Sequence, residues 1–206
     1  MARDPSFRKL HSDILACEIC AGHLPLGPRP VLQIHPKARV LIAGQAPGSR
    51  VHATGVPFQD PSGKRLREWM GIGEEVFYDE KRIAILPMGF CFPGTGKSGD
   101  LPPRPECAEA WREAVLAKLV NIEFTIVLGK YAQDWHLAGG VAGDGAGGRN
   151  VAKRSVTDVV ADWKSHWPQA LALPHPSPRN QIWLRKNPWF GKDVLPRLKR
   201  RVGALI

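Results

Sequence analysis

The chain has 206 residues, 43% of them hydrophobic, and a formal net charge of +10. That is enough apolar material for one ordinary core, and no shift in composition marks a second unit, so a single domain over 1–206 is expected. No apolar run is long enough to span a membrane, and Met1-Ala2-Arg3-Asp4-Pro5 is charged where a secretory signal needs an apolar core; the expectation is a cytoplasmic protein with a polyanionic partner.

Cys17-x2-Cys20 comes first along the chain. The run Arg39 to Ala43 reads as a buried strand, and Gly44-Gln45-Ala46-Pro47-Gly48 follows it at once; such a turn most often only reverses the chain. Gly55-Val56-Pro57-Phe58 and then Gln59-Asp60-Pro61-Ser62-Gly63 come next. A second strand, Ile83 to Pro87, runs into Met88-Gly89-Phe90-Cys91. From Glu106 a helix is expected, carrying Cys107 and an apolar side of Ala110, Trp111, Val115, Leu116 and Leu119. A third strand, Thr125 to Leu128, leads to Gly129-Lys130-Tyr131-Ala132.

The glycine-rich stretch Gly139 to Gly148 lacks the Gly-Lys-Ser/Thr ending of a phosphate loop and reads as a surface excursion. Val156, Val159, Val160, Trp163 and Trp167 are spaced to line one helical face, with Ser155 as its N-cap. The fourth strand, Ala170 to Leu173, precedes His175-Pro176-Ser177-Pro178-Arg179-Asn180. Between Arg179 and Arg201, the basic residues Arg179, Arg185, Lys186, Lys192, Arg197, Lys199, Arg200 and Arg201 are set against one acid, Asp193, with Trp183, Trp189 and Phe190 among them. Cations mixed with aromatics suit phosphate contact beside unstacked bases; the plainer alternative is a solvated helix over buried aromatics.

Strands alternating with helices predict an α/β fold, a three-layer α/β/α domain with a central, mainly parallel four-stranded sheet. In such sheets ligands bind beyond the carboxyl ends of the strands. Both unusual segments, after the first and the fourth strand, are placed there.

Those two segments, Phe58 behind a proline, Leu128 to Ala132 and the order of the four cysteines together resemble the uracil-DNA glycosylase superfamily. The resemblance runs from Cys17 to Leu198 and is strongest to its iron-sulfur, family-four type. It implies a DNA glycosylase that extrudes a nucleotide, hydrolyses the N-glycosidic bond of uracil and leaves an abasic site. The partner implied is DNA carrying uracil or another deaminated base, and a monomer suffices to engage one lesion.

Residue by residue, the resemblance gives His175 the part of a donor to the uracil O2 oxygen as charge builds on the leaving base. Phe58 becomes the stacking aromatic. Gly44, Ala46, Pro47 and Gly48, with Ser177, Arg179 and Asn180, become contacts to base and phosphate. The chain departs from the family-four pattern at Gln45, where that type has a glutamate, and the aspartate of the most familiar family is replaced by Ala46. Gln45 cannot act as a carboxylate base, although an amide can position water. Asp60, near the aspartate of family-five enzymes, is the expected water-orienting or oxocarbenium-stabilising carboxylate; an ordinary helix cap is the alternative. No asparagine ends the second strand at Pro87, which shifts base recognition to backbone groups near Met88 and Gly89 or to Asn180 and admits other deaminated bases.

Cys17, Cys20, Cys91 and Cys107 lack the two short pairs of a zinc ribbon. The resemblance implies that they bind a structural [4Fe-4S] cluster, with buried free thiols or another metal as the alternatives. No lysine stands in either motif to form a Schiff base, so no lyase activity is expected. A non-catalytic lesion- or abasic-DNA-binding protein is the competing reading from another class; an unrelated small-molecule enzyme is the third.

Overall fold

The structure, a computed structural model, describes residues 5–97, 99–137 and 153–206. The expected Gly139 to Gly148 excursion lies outside the described residues.

A four-stranded, all-parallel sheet has the order β2-β1-β5-β6, formed by β1 (Val40–Ala43), β2 (Ile83–Ile85), β5 (Phe124–Leu128) and β6 (Ala170–Leu173). These strands are short continuous apolar runs, the composition of a parallel sheet covered on both faces. On one face Val40, Ile42, Ile83 and Ile85 pack with α3 (Pro61–Met70) and α9 (Leu195–Gly203). On the other, Leu41, Ala84 and Leu86 meet Phe7 and Ile14 of α1 (Pro5–Leu15) and Val115 of α5 (Pro105–Leu116). The expected three-layer α/β/α domain is therefore present. Short helices α2 (Ser49–Thr54) and α4 (Glu74–Phe77) fill the connection between β1 and β2, while α6 (Gly129–His136) and α7 (Val156–Ala161) cover β5 and β6. After β6 come α8 (Gln181–Lys186) and α9. A small antiparallel hairpin, β3 (Thr95–Gly96) with β4 (Gly99–Asp100), stands outside the main sheet. No described helix is long and apolar enough to cross a membrane.

Two helical expectations need correcting. The face drawn from Val156 to Trp167 is not one helix: α7 stops at Ala161, and Trp163 to His166 form a 3-10 turn. Ser155 does cap it, in a capping box with Asp158. In α5, Ala110 is exposed and the buried position beside it belongs to Arg112, which is 0% exposed.

Arg112 is the unusual member of the core. Its guanidinium donates to the carbonyls of Pro87 (2.8 Å) and Leu86 (3.2 Å), just past β2, and to Nε2 of His136. It also stacks over Trp135, 4.8 Å from the ring centroid. Burial pushes the guanidinium down to about 9, and burial with the neighbouring arginine pushes His136 down to about 2. His136 is thus neutral and accepts the bond. Unfolding returns it to its ordinary 6.5, so below that pH the unfolded chain binds a proton that the native one refuses. Stability is fully retained above the unfolded value and falls as pH drops through 6.5. The expected slope from this residue approaches about 1.4 kcal/mol per pH unit, and His136→Gln should flatten it in urea denaturation measured at pH 7, 6 and 5.

Candidate active site

The first motif leaves the carboxyl end of β1 and is locked at once. The amide of Met88 donates to the Gly44 carbonyl (2.8 Å) and that of Gly89 to the Gln45 carbonyl (2.9 Å), which extends the β1–β2 ladder past the sheet. This corrects one expectation: the N–H groups of Met88 and Gly89 are taken by the backbone. Met88 is buried, and neither residue borders the cleft.

That cleft, of about 570 Å³, opens between four segments: the first motif, Pro57 to Ser62, the second motif, and the β3–β4 hairpin. Gly44, Gln45, Ala46, Pro47 and Gly48 all line it. Phe58 forms one wall, half-buried, with its ring edge-on to Phe77 at 6.1 Å. Its backbone has φ +56, a left-handed conformation that costs a non-glycine residue about 1–3 kcal/mol and concentrates at functional sites. The reason it persists is next door. Asp60 is the N-cap of α3, with Oδ1 accepting from the amide of Gly63 at 2.8 Å. This draws Gly63 so close that a Cβ there would lie 1.8 Å from the Phe58 carbonyl oxygen. The helix cap and the strained aromatic are therefore one unit.

The second motif follows β6 and is held from three sides. Gln133 of α6 donates to the Leu173 carbonyl (3.1 Å), Arg65 of α3 donates to the Ser177 carbonyl (2.8 Å), and the Asn180 amide donates to the His175 carbonyl (2.7 Å). The Ser177 hydroxyl accepts from the amide of Arg179 (3.2 Å) and caps the short turn Pro178–Asn180. Ser177 and Asn180 both line the cleft, but these polar groups brace the loop. Gly129, at φ +75, makes the turn from β5 into α6 that a side chain would strain; a Cβ there would come within 3.9 Å of the His175 Cβ.

His175 stands in this cleft with its ordinary proton affinity lowered, chiefly by burial. The carboxylates of Asp60 and Asp100 act in the opposite direction, which places both within electrostatic reach of the imidazole. The balance leaves the ring neutral at pH 7, with an N–H to donate. Arg50 and Arg179 supply positive charge at the cleft, Arg179 exposed with Nη1 over Gly99.

The C-terminal basic run is mostly elsewhere. Arg197 stacks on Trp163 (5.0 Å) and Arg201 donates to the carbonyl of Glu123, which precedes β5 at the end of the sheet opposite the cleft. Trp183, Trp189 and Phe190 pack edge-on against one another, with Trp69 behind Phe190. Trp183 also donates to Thr157. Phe190 is buried in the core, and Trp183 and Trp189 are partly buried against it, which is closer to the plainer alternative.

Four site residues escaped the sequence reading: Arg50, Arg65, Gln133 and Asp100. Arg65 and Gln133 look like ordinary helix positions in sequence. Asp100 had a signal, a short Gly-x-x-Gly turn from Gly96 to Gly99 that a hairpin explains.

On the far side of β2 the four cysteines gather from α1's end, the turn after β2 and the first turn of α5. Burial pushes Cys91 up to about 11 and Cys107 up to about 12, and the charges of the other cysteines add to each shift. Cys107 accepts from the amide of Phe90 and Cys17 from the Trp111 indole, both at 3.3 Å. Among the described residues no group of three or more His, Cys, Asp and Glu side chains is close enough for one metal ion. The four thiols lie within one another's electrostatic reach, and two of them, Cys17 and Cys107, receive N–H bonds.

A sequence model of the uracil DNA glycosylase superfamily matches residues 32–199. The chain belongs to the uracil-DNA glycosylase superfamily. The matched region contains both motifs, Phe58, the hairpin and the α5 cysteine, and begins after Cys17 and Cys20. In this member of the superfamily the strained Phe58 depends on the missing side chain at 63. Gly63→Ala should therefore lower stability by about 3 kcal/mol or more, seen as a Tm lower by roughly 6–12 °C in a thermal melt.

Proposed function

We propose that the protein is a monofunctional DNA glycosylase that hydrolyses the N-glycosidic bond of uracil in DNA, releasing the base and leaving an abasic site. Superfamily membership supports glycosylase chemistry on DNA. The observation that carries the reading further is the convergence in one cleft of a neutral, braced His175 and the fixed ring of Phe58.

The extruded base stacks on Phe58, which offsets the cost of leaving the helix. As the C1′–N1 bond opens, the His175 N–H meets the developing charge on O2, and a donor already in place stabilises that transition state without reorganisation. The carboxylates lining the cleft, Asp60 and Asp100, supply negative charge to the electron-poor sugar. Arg50 and Arg179 meet phosphates. With the Asn180 amide, the Met88 and Gly89 N–H groups and the Gln45 side chain all engaged within the protein, the base edge is read by few groups. That supports tolerance of other deaminated bases.

A second reading, a lesion- or abasic-DNA-binding protein without cleavage, is favoured by one observation: the first motif itself offers no carboxylate, and Gln45 is tied to Leu101. A labelled oligonucleotide carrying one uracil, treated with alkali after incubation, separates the two. Scission dependent on uracil, lowered about 100-fold or more in His175→Ala, supports the enzyme. Binding without scission supports the binder. Because His175 must be neutral to act, the rate should hold across neutral pH and decline only below its ordinary 6.5.

Cys17, Cys20, Cys91 and Cys107 are proposed to hold a structural [4Fe-4S] cluster that ties the N-terminal segment to β2 and α5. When bound it supplies a cross-link and no chemistry on the base. Cys91→Ser should remove the thiolate-to-iron charge-transfer absorbance of the purified protein and lower its Tm; unchanged colour would contradict the assignment.

A further inference from the structure

We propose that Asp100, carried on the β3–β4 hairpin, is the carboxylate that orients the attacking water in this cleft and replaces the acid missing from the first motif. The proposal rests on the glycosylase reading above and adds the catalytic group that reading lacks.

Position comes first. Asp100 lines the cleft with His175, and its Oδ2 lies 3.3 Å from where a Cβ on Gly48 would be. A carboxylate from a separate element therefore rests against the first motif, two residues from Ala46. Its Oδ1 accepts from the Thr95 hydroxyl at 3.5 Å across the hairpin, and Oδ2 faces the motif.

The hairpin is fastened where this matters. The amide of Leu101 donates to Gly94 (2.8 Å), and the carbonyl of the same residue accepts from Nε2 of Gln45 (3.1 Å). Gln45 thus holds the residue next to Asp100. A glutamate at position 45 has no hydrogen to donate to that carbonyl and would repel Asp100, so the amide at 45 and the acid at 100 are chemically matched. The hairpin thus brings to the cleft an acid that the first motif does not carry. Asp60, the other acid of the cleft, gives Oδ1 to the α3 cap.

In the step itself the C1′–N1 bond breaks and its electron pair leaves with the base, held at O2 by the His175 N–H. A water oxygen bonds to C1′. The water's proton passes to the Asp100 carboxylate and then to solvent, and the departing base anion takes a proton from solvent. The sum is one water consumed, one free base and one abasic sugar formed.

The test compares wild type, Asp100→Asn and Asp60→Asn under single-turnover conditions on a uracil-containing oligonucleotide, with affinity measured on the same sequence carrying uncleavable 2′-fluoro-deoxyuridine. Asparagine caps a helix as well as aspartate, so Asp60→Asn removes charge without undoing α3. Expected is a rate in Asp100→Asn lowered about 100-fold or more, with affinity unchanged or tighter and an unaltered Tm. A merely structural hairpin acid would instead lower affinity or Tm together with the rate. An Asp100→Asn rate within about threefold of wild type overturns the assignment whatever Asp60→Asn does. A wild type that cleaves no uracil overturns the glycosylase reading itself and the assignment with it.

Discussion

Two backbone hydrogen bonds just past the end of the sheet, Met88 to Gly44 and Gly89 to Gln45, govern the rest of the cleft. They continue the parallel ladder of β1 and β2 for one more step after the strands have ended, so the first motif leaves the sheet as a fixed ledge instead of a free turn. Buried amides and carbonyls must find partners, and here the carbonyls of the first motif find theirs in the turn after β2. Gly48 then starts α2, Gln45 reaches the hairpin, and Phe58 closes over Gly44. Each later contact uses the ledge as its reference.

The same economy appears in the second motif. The loop is fixed through backbone carbonyls and not through the His175 ring: side chains from α3, α6 and the loop's own Asn180 hold the carbonyls of Ser177, Leu173 and His175. A donor that must meet charge only in the transition state is more effective when its position does not depend on the ligand. Burial keeps the imidazole neutral, and two carboxylates within reach temper that effect without reversing its direction. Neutrality and placement thus come from different neighbours.

Behind β2, Arg112 joins the cysteine region to the cleft wall. It lies on the same helix as Cys107 and donates to the carbonyl of Pro87, which lines the cleft. A buried guanidinium is costly without partners; two carbonyls and a neutral imidazole take the bonds of its terminal nitrogens, while Nε is buried with no hydrogen-bond partner among the described residues, at the point where β2 gives way to the turn carrying Cys91. Thiols and cleft are therefore organised from one helix.

The sequence by itself determined the sheet and the location of the cleft. Apolar runs such as Val40 to Ala43 and Ala170 to Leu173 are dictated by a sheet buried on both faces, and the motifs must follow the strands that precede them. Chain-local chemistry also makes Ser155 recognisable as a cap, and it leaves a cap as the alternative for Asp60, whose first expected role is that of a catalytic carboxylate and which does cap α3. What only the tertiary structure decided were pairings between segments far apart in the chain: Arg65 with Ser177, Gln45 with Leu101, and Asp100 beside Gly48. Composition could not show that α9's cations lie at the other end of the sheet, because a helix's charges say nothing of which end it covers. Nor could spacing show that Asn180 turns back to its own loop, since an amide that braces and one that reads a base are the same residue in sequence.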